Sequence, residues 1–164
     1  MRYASTKLDN WVAKTPEQQD VKGKAIDCIE NGKNLIMLGN TGTGKTMLAH
    51  AMVNERKGEV VRVSKMLRCI MESVQGKSQY TCSDQMSYLA KIPLLVMDEF
   101  GVDELTPAQF RYINEIIDSR YMNELPTVFV SNMDFEQFKS MVGIRVMDRL
   151  KGANVVIFGW ESER

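Results

Sequence analysis

Apolar residues fall in short unbroken runs, and longer stretches with helical spacing separate them. Runs at 34–38, 60–63, 94–97, 127–131 and 154–158 predict five strands. None alternates apolar with polar, so each strand is expected to be covered on both faces. Between them, Thr15-Pro16-Glu17-Gln18 reads as a capping box with proline at the first helical position, opening a helix to about residue 31 that stops at Gly32. Further helices are predicted over 44–57, over 64–75 capped by Ser64, and over 83–91 capped by Ser83. Another opens at Thr106 and runs to about 123, and a pair covers 134–142, capped by Asp134, and 144–150. Helices alternating with buried strands predict a three-layer αβα sandwich around a five-stranded parallel sheet. Residues 1–15 lack periodicity and read as a linker whose aromatics, Tyr3 and Trp11, pack on the domain edge; residues 16–164 read as one domain.

Composition narrows the chemistry. The 164 residues carry 21 basic and 21 acidic side chains. Bulk charge therefore does not drive nucleic-acid binding, and any basic surface is local. No apolar run approaches the roughly 20 residues that span a bilayer, and no leader-like segment opens the chain. Three cysteines (Cys28, Cys69, Cys82) at no metal-binding spacing argue for a reducing cytoplasm. A single histidine, His50, excludes multi-histidine metal sites and leaves histidine-dependent nucleophilic catalysis without support.

The sharpest signal is Gly39-Asn40-Thr41-Gly42-Thr43-Gly44-Lys45-Thr46, a full G-x-x-x-x-G-K-[ST] match between a predicted strand and a predicted helix. Glycines let backbone N–H groups converge on phosphate oxygens, and the helix N-terminus adds its dipole. Residues 39–47, ending at Met47, are the expected ATP-binding segment; Lys45 is expected at the β- and γ-phosphates and Thr46 at Mg²⁺. The strand ending in Asp98-Glu99 supplies a carboxylate for Mg²⁺ and a second to polarise water. This adjacency places the chain with P-loop ATPases that insert an extra strand between the two acid- and phosphate-bearing strands. The run 127–131 is that strand, and Asn132 at its end is the candidate sensor of the γ-phosphate or lytic water.

Together these segments resemble the AAA+ ATPase domain of DnaC-type replicative helicase loaders, with IstB-type transposition ATPases as close relatives. The likeness rests on GNTGTGKTMLAHAM, LLVMDEFGVDE, INEIIDSRY, TVFVSNMD, GIRVMDRL and VVIFGWESER. It implies an ASCE-type P-loop fold with a reduced C-terminal lid, ATP and Mg²⁺ as cofactors, and self-association through the ATP interface. It also implies single-stranded DNA and a replicative DNA helicase as partners. Arg149, with Arg145 as the second candidate, falls where the family places its trans-acting arginine, and Arg164 where a late arginine senses nucleotide. Turnover by the isolated chain is expected to be slow. The loaders carry a helicase-binding extension ahead of the ATPase domain, and the few residues before Trp11 are not expected to supply it.

Charge distribution fits such an assembly. Residues 97–124 hold seven acids against two bases, and residues 139–151 four bases against one acid, a pairing suited to head-to-tail packing. Residues 55–80 hold six bases against three acids, and Arg62, Lys65, Arg68, Lys77 and Tyr80 are the candidate DNA contacts. An ordinary solvated helix face gives the same pattern. The alternatives are a transposition helper ATPase, a nucleotide-gated DNA-binding scaffold with little hydrolysis, and a P-loop kinase, for which no arginine-rich lid segment is present.

Overall fold

The computed structural model describes residues 5–162. After a 3₁₀ turn at Leu8–Asn10 come α1 (Pro16–Asn31), β1 (Leu35–Gly39), α2 (Lys45–Arg56), β2 (Glu59–Arg62), α3 (Val63–Val74) and α4 (Cys82–Lys91). They are followed by β3 (Leu95–Asp98), α5 (Pro107–Met122), β4 (Thr127–Ser131), α6 (Phe135–Arg149) and β5 (Asn154–Phe158). The strands form one parallel sheet in the order β2-β3-β4-β1-β5. The expected three-layer αβα fold is present, and β4 lies between β1 and β3.

Successive strand residues serve opposite layers. Leu35, Met37, Val96, Val128 and Val130 pack with Val21, Ala25, Leu48 and Met52 of α1 and α2. Ile36, Leu38, Met97 and Phe129 face the other way, onto α3 to α6. In that second layer Phe100, Phe129 and Phe138 form a triangle with ring centroids 5.3–5.7 Å apart. Both faces of the three central strands are thus dry, which explains why they read as continuous apolar runs, whereas the edge strands β2 and β5 are only partly covered.

Several helix starts differ from expectation. At α1, Thr15 Oγ1 accepts from Gln18 N–H as predicted, but Gln18 Oε1 returns the bond to Lys14 N–H at 2.7 Å, one residue before the cap. At α3, Ser64 is not the cap: the helix begins at Val63 directly from β2, with Arg62 at the N-cap and no side-chain cap bond. At α4 the cap is Thr81 rather than Ser83, closing a reciprocal box with Asp84. The two helices predicted around residue 143 are the two halves of α6, broken at Gly143 (φ 75°, ψ 169°).

Arg120 is fully buried. Its guanidinium donates to Thr127 Oγ1 at 2.9 Å and to the carbonyls of Leu89, Ile92 and Pro126 at 2.7–2.8 Å, tying α5 to the end of α4 and the start of β4. Burial lowers its pKa to about 10. One of the two bases counted in residues 97–124 is therefore not a surface charge. Among the described residues no helix is long and apolar enough to cross a membrane.

Candidate functional site

The loop from Gly39 to Lys45 joins the end of β1 to the start of α2. Gly39 is fixed by sterics: a Cβ there stands 2.4 Å from the Phe158 carbonyl on β5, at a φ of 124°. Gly44 (φ 95°) presses against the Trp11 indole, with Nε1 3.1 Å from a Cβ at that position. The loop's outer side is held as well. Trp160 Nε1 donates to the Thr43 carbonyl at 3.1 Å, and Trp11, Phe158 and Trp160 pack edge-on or tilted with centroids 4.8–6.4 Å apart. Trp11 is buried in the core cluster beside the phosphate loop rather than laid on the domain edge, so part of the segment read as a linker packs with the domain; Tyr3 lies outside the described residues.

Lys45 is buried and folds back over its own loop, donating to the carbonyls of Gly39 (2.6 Å) and Asn40 (2.5 Å). Burial pulls its pKa down, and the Asp98 carboxylate partly offsets that. The loop therefore keeps one ammonium at its centre, where phosphate oxygens suit it better than peptide carbonyls.

Across the sheet, the buried Asp98 closes β3 beside α2. Thr46 Oγ1 donates to Asp98 Oδ2 at 3.2 Å, and Asp98 Oδ1 accepts from Glu99 N–H at 2.9 Å. A hydroxyl and a carboxylate side by side are the hard oxygen donors that Mg²⁺ takes, usually together with water and phosphate oxygens. The residues present fit that ion. Glu99 sits at φ 57°, a left-handed conformation that L-residues adopt at a cost of roughly 1–2 kcal/mol. Such backbone concentrates at functional sites. Its carboxylate is exposed and pairs with Arg62 Nε at 3.5 Å.

The neighbouring strand end carries the sensor candidate. The buried Ser131 donates from Oγ to the Phe100 carbonyl at 2.7 Å, and Phe100 N–H bonds the Val130 carbonyl at 2.9 Å. These bonds lock the turn after Glu99 to β4. Asn132 follows, exposed, at the same end of the sheet as the phosphate loop and Asp98.

The remaining candidates lie apart. Arg145 and Arg149 both pair with Asp118 on α5. Part of the opposed charge of residues 97–124 and 139–151 is thus satisfied within one chain. Lys65, Arg68, Lys77 and Tyr80 are exposed on α3 and the segment after it. Arg62 and Lys65 line an open groove of about 400 Å³ between β2, α3 and α4, and the other three do not. Arg164 lies outside the described residues. Sequence reasoning missed the Arg62–Glu99 pair, Asp118 and the Trp160 contact. The first follows only from knowing that Arg62 registers with Asp98 on the adjacent strand.

Residues 7–156 match the family described as IstB-like ATP binding protein. The replicative helicase loader DnaC of Escherichia coli K12 is 29% identical, over 99% of this chain and 70% of that one. The crystal structure of the DnaC helicase loader superposes with a TM-score of 0.81 at 22% identity, covering 95% of this chain and 98% of that one. The replication initiator DnaA bound to AMPPCP and single-stranded DNA shares the fold, with a TM-score of 0.79 at 19% identity over 95% of this chain and 50% of that one. A phosphate loop and an acidic strand end brought together by β1 and β3 are what a P-loop ATP site requires, and the chain belongs to the IstB-like ATP-binding family, in its DnaC-type helicase-loader group.

Proposed function

We propose that the chain is the ATPase domain of a replicative helicase loader, which assembles on single-stranded DNA when ATP is bound and delivers the helicase. The observation that carries this reading is the 3.2 Å contact of Thr46 with Asp98, which unites the phosphate loop with the acidic strand end. The relative named as a helicase loader aligns over 99% of the chain and supports the biological setting.

Residues 39–47 wrap the triphosphate with backbone amides, and Lys45 leaves its carbonyl partners for the β- and γ-phosphates. Thr46 and Asp98 would hold Mg²⁺, which would supply positive charge to the phosphates. Glu99 orients and polarises the attacking water, and Asn132 hydrogen-bonds that water or the γ-phosphate. Arg149 of a neighbouring protomer supplies positive charge to the transferring phosphoryl group. A trans arginine is worth roughly 10³ to 10⁵ in rate, so an isolated chain turns over slowly. Lys65, Arg68, Lys77 and Tyr80 offer three cations and an aromatic ring to a single strand, with Arg62 at the boundary between that surface and Glu99.

Light scattering tests the assembly. Mass is expected to rise to that of an oligomer when ATP, Mg²⁺ and single-stranded DNA are present together, and to stay monomeric without nucleotide. A monomer under all conditions overturns the reading.

A further inference from the structure

Asp118 lies outside the nucleotide cradle, near the end of α5, and takes two arginines on one carboxylate. Arg149 Nε donates to Oδ1 at 2.8 Å, and Arg145 Nη2 donates to Oδ2. The break at Gly143 starts a new helical segment, and i, i+4 spacing turns both arginines toward α5. Arg149 is held from more than one side. Its guanidinium lies 5.9 Å from the centre of the Tyr121 ring, and its carbonyl accepts from Asn34 Nδ2 at 3.5 Å.

An incidental surface ion pair joins two exposed, mobile side chains. Here the Arg149 side chain is 33% exposed and that of Asp118 25%, whereas Arg145 is 63% exposed. Arg149 spends its Nε on Asp118, and its two Nη groups have no hydrogen-bond partner among the described residues. Two guanidiniums against one carboxylate leave this surface with a net positive charge, so an incoming anion is still attracted. The rotamer entropy lost on fixing an arginine is spent before any partner arrives, which is how preorganisation raises the yield of each later contact.

We propose that Asp118 is a positioning residue that presents Arg149, rather than Arg145, to ATP bound on a neighbouring protomer; this rests on the trans-arginine reading above. The test mixes two subunits. A donor carrying Glu99→Gln binds ATP without hydrolysing it and keeps its arginine. A recipient carrying Arg149→Ala keeps an intact hydrolytic site. Each alone is expected to be inactive, and their mixture to regain turnover. Asp118→Asn in the donor is expected to lower the regained kcat at least tenfold, with the KM for ATP unchanged. Asp118→Glu in the donor is expected to restore most of it. The same Asp118→Asn in the recipient is expected to change the regained rate less than twofold, because that subunit no longer has Arg149 to present. Equal losses in both arms, or no loss in the donor arm, overturn the inference while leaving the trans arginine standing. No regained turnover in the starting mixture overturns the trans arginine, and the role of Asp118 with it.

Discussion

Arg62 Nε stands 3.5 Å from the Glu99 carboxylate because Arg62 is the register partner of Asp98 on the adjacent strand. Arg62 is also the N-cap of α3, the helix that carries Lys65 and Arg68. One ion pair therefore ties the Glu99 carboxylate, proposed above to polarise water, to the residue that caps the helix bearing Lys65 and Arg68. Both side chains are solvent-exposed, so little stability rides on the pair. On the proposed mechanism it acts by setting where the Glu99 carboxylate points. Arg62→Ala is expected to leave ATP affinity unchanged and raise DNA-free turnover several-fold. Steady-state hydrolysis with and without single-stranded DNA checks this; an unaltered DNA-free rate removes the pair from control of hydrolysis.

Binding and chemistry separate at Glu99. On the proposed mechanism Glu99→Gln removes the group that polarises the water, while the loop, Lys45, Thr46 and Asp98 are untouched. Nucleotide affinity is expected within about twofold of wild type, with turnover reduced at least a hundredfold, within the range a general base contributes. Unchanged turnover in this variant assigns the water to another group.

The two tryptophans report on the loop. Trp160 bonds the Thr43 carbonyl at 3.1 Å and Trp11 packs against Gly44, with the indole centroids 6.4 Å apart. Since these are the chain's only tryptophans, intrinsic fluorescence is expected to change on adding ATP and Mg²⁺. Trp160→Phe keeps the ring packing and deletes one hydrogen bond, worth about 1 kcal/mol net. ATP affinity is expected to fall about fivefold by equilibrium titration; an unchanged affinity shows that the indole N–H does not brace the loop.

Arg120 is a stability residue. Its replacement by alanine leaves three buried carbonyls without their donor and opens a cavity between α4, α5 and β4. The expected loss is about 3–5 kcal/mol, seen as a fall in Tm of roughly 10–15 °C for a chain of this length. A Tm within 2 °C of wild type contradicts the packing role.

What was legible in the sequence was local. The phosphate loop is contiguous, so its eight residues carry strand, turn and helix start together, and β4 and β5 fall where their apolar runs lie. Helix starts were less secure when more than one residue fitted. Ser83 offered a hydroxyl, but Thr81 has Asp84 three residues on to return the bond. Ser64 was misread because β2 runs into α3 with no turn, so β-branched Val63 begins a helix. Contacts between distant elements were not legible. Arg62 with Glu99 depends on strand register, and Asp118 with Arg149 depends on how α5 packs on the second half of α6. Arg120 reads as one more surface base until the fold places it inside.

Calorimetric titration of a non-hydrolysable ATP analogue with Mg²⁺, into wild type and into Lys45→Ala, tests most directly whether this loop is an ATP cradle. One site per chain in wild type and none in the variant is the expected result. Equal binding by both proteins, or no binding by wild type, contradicts it.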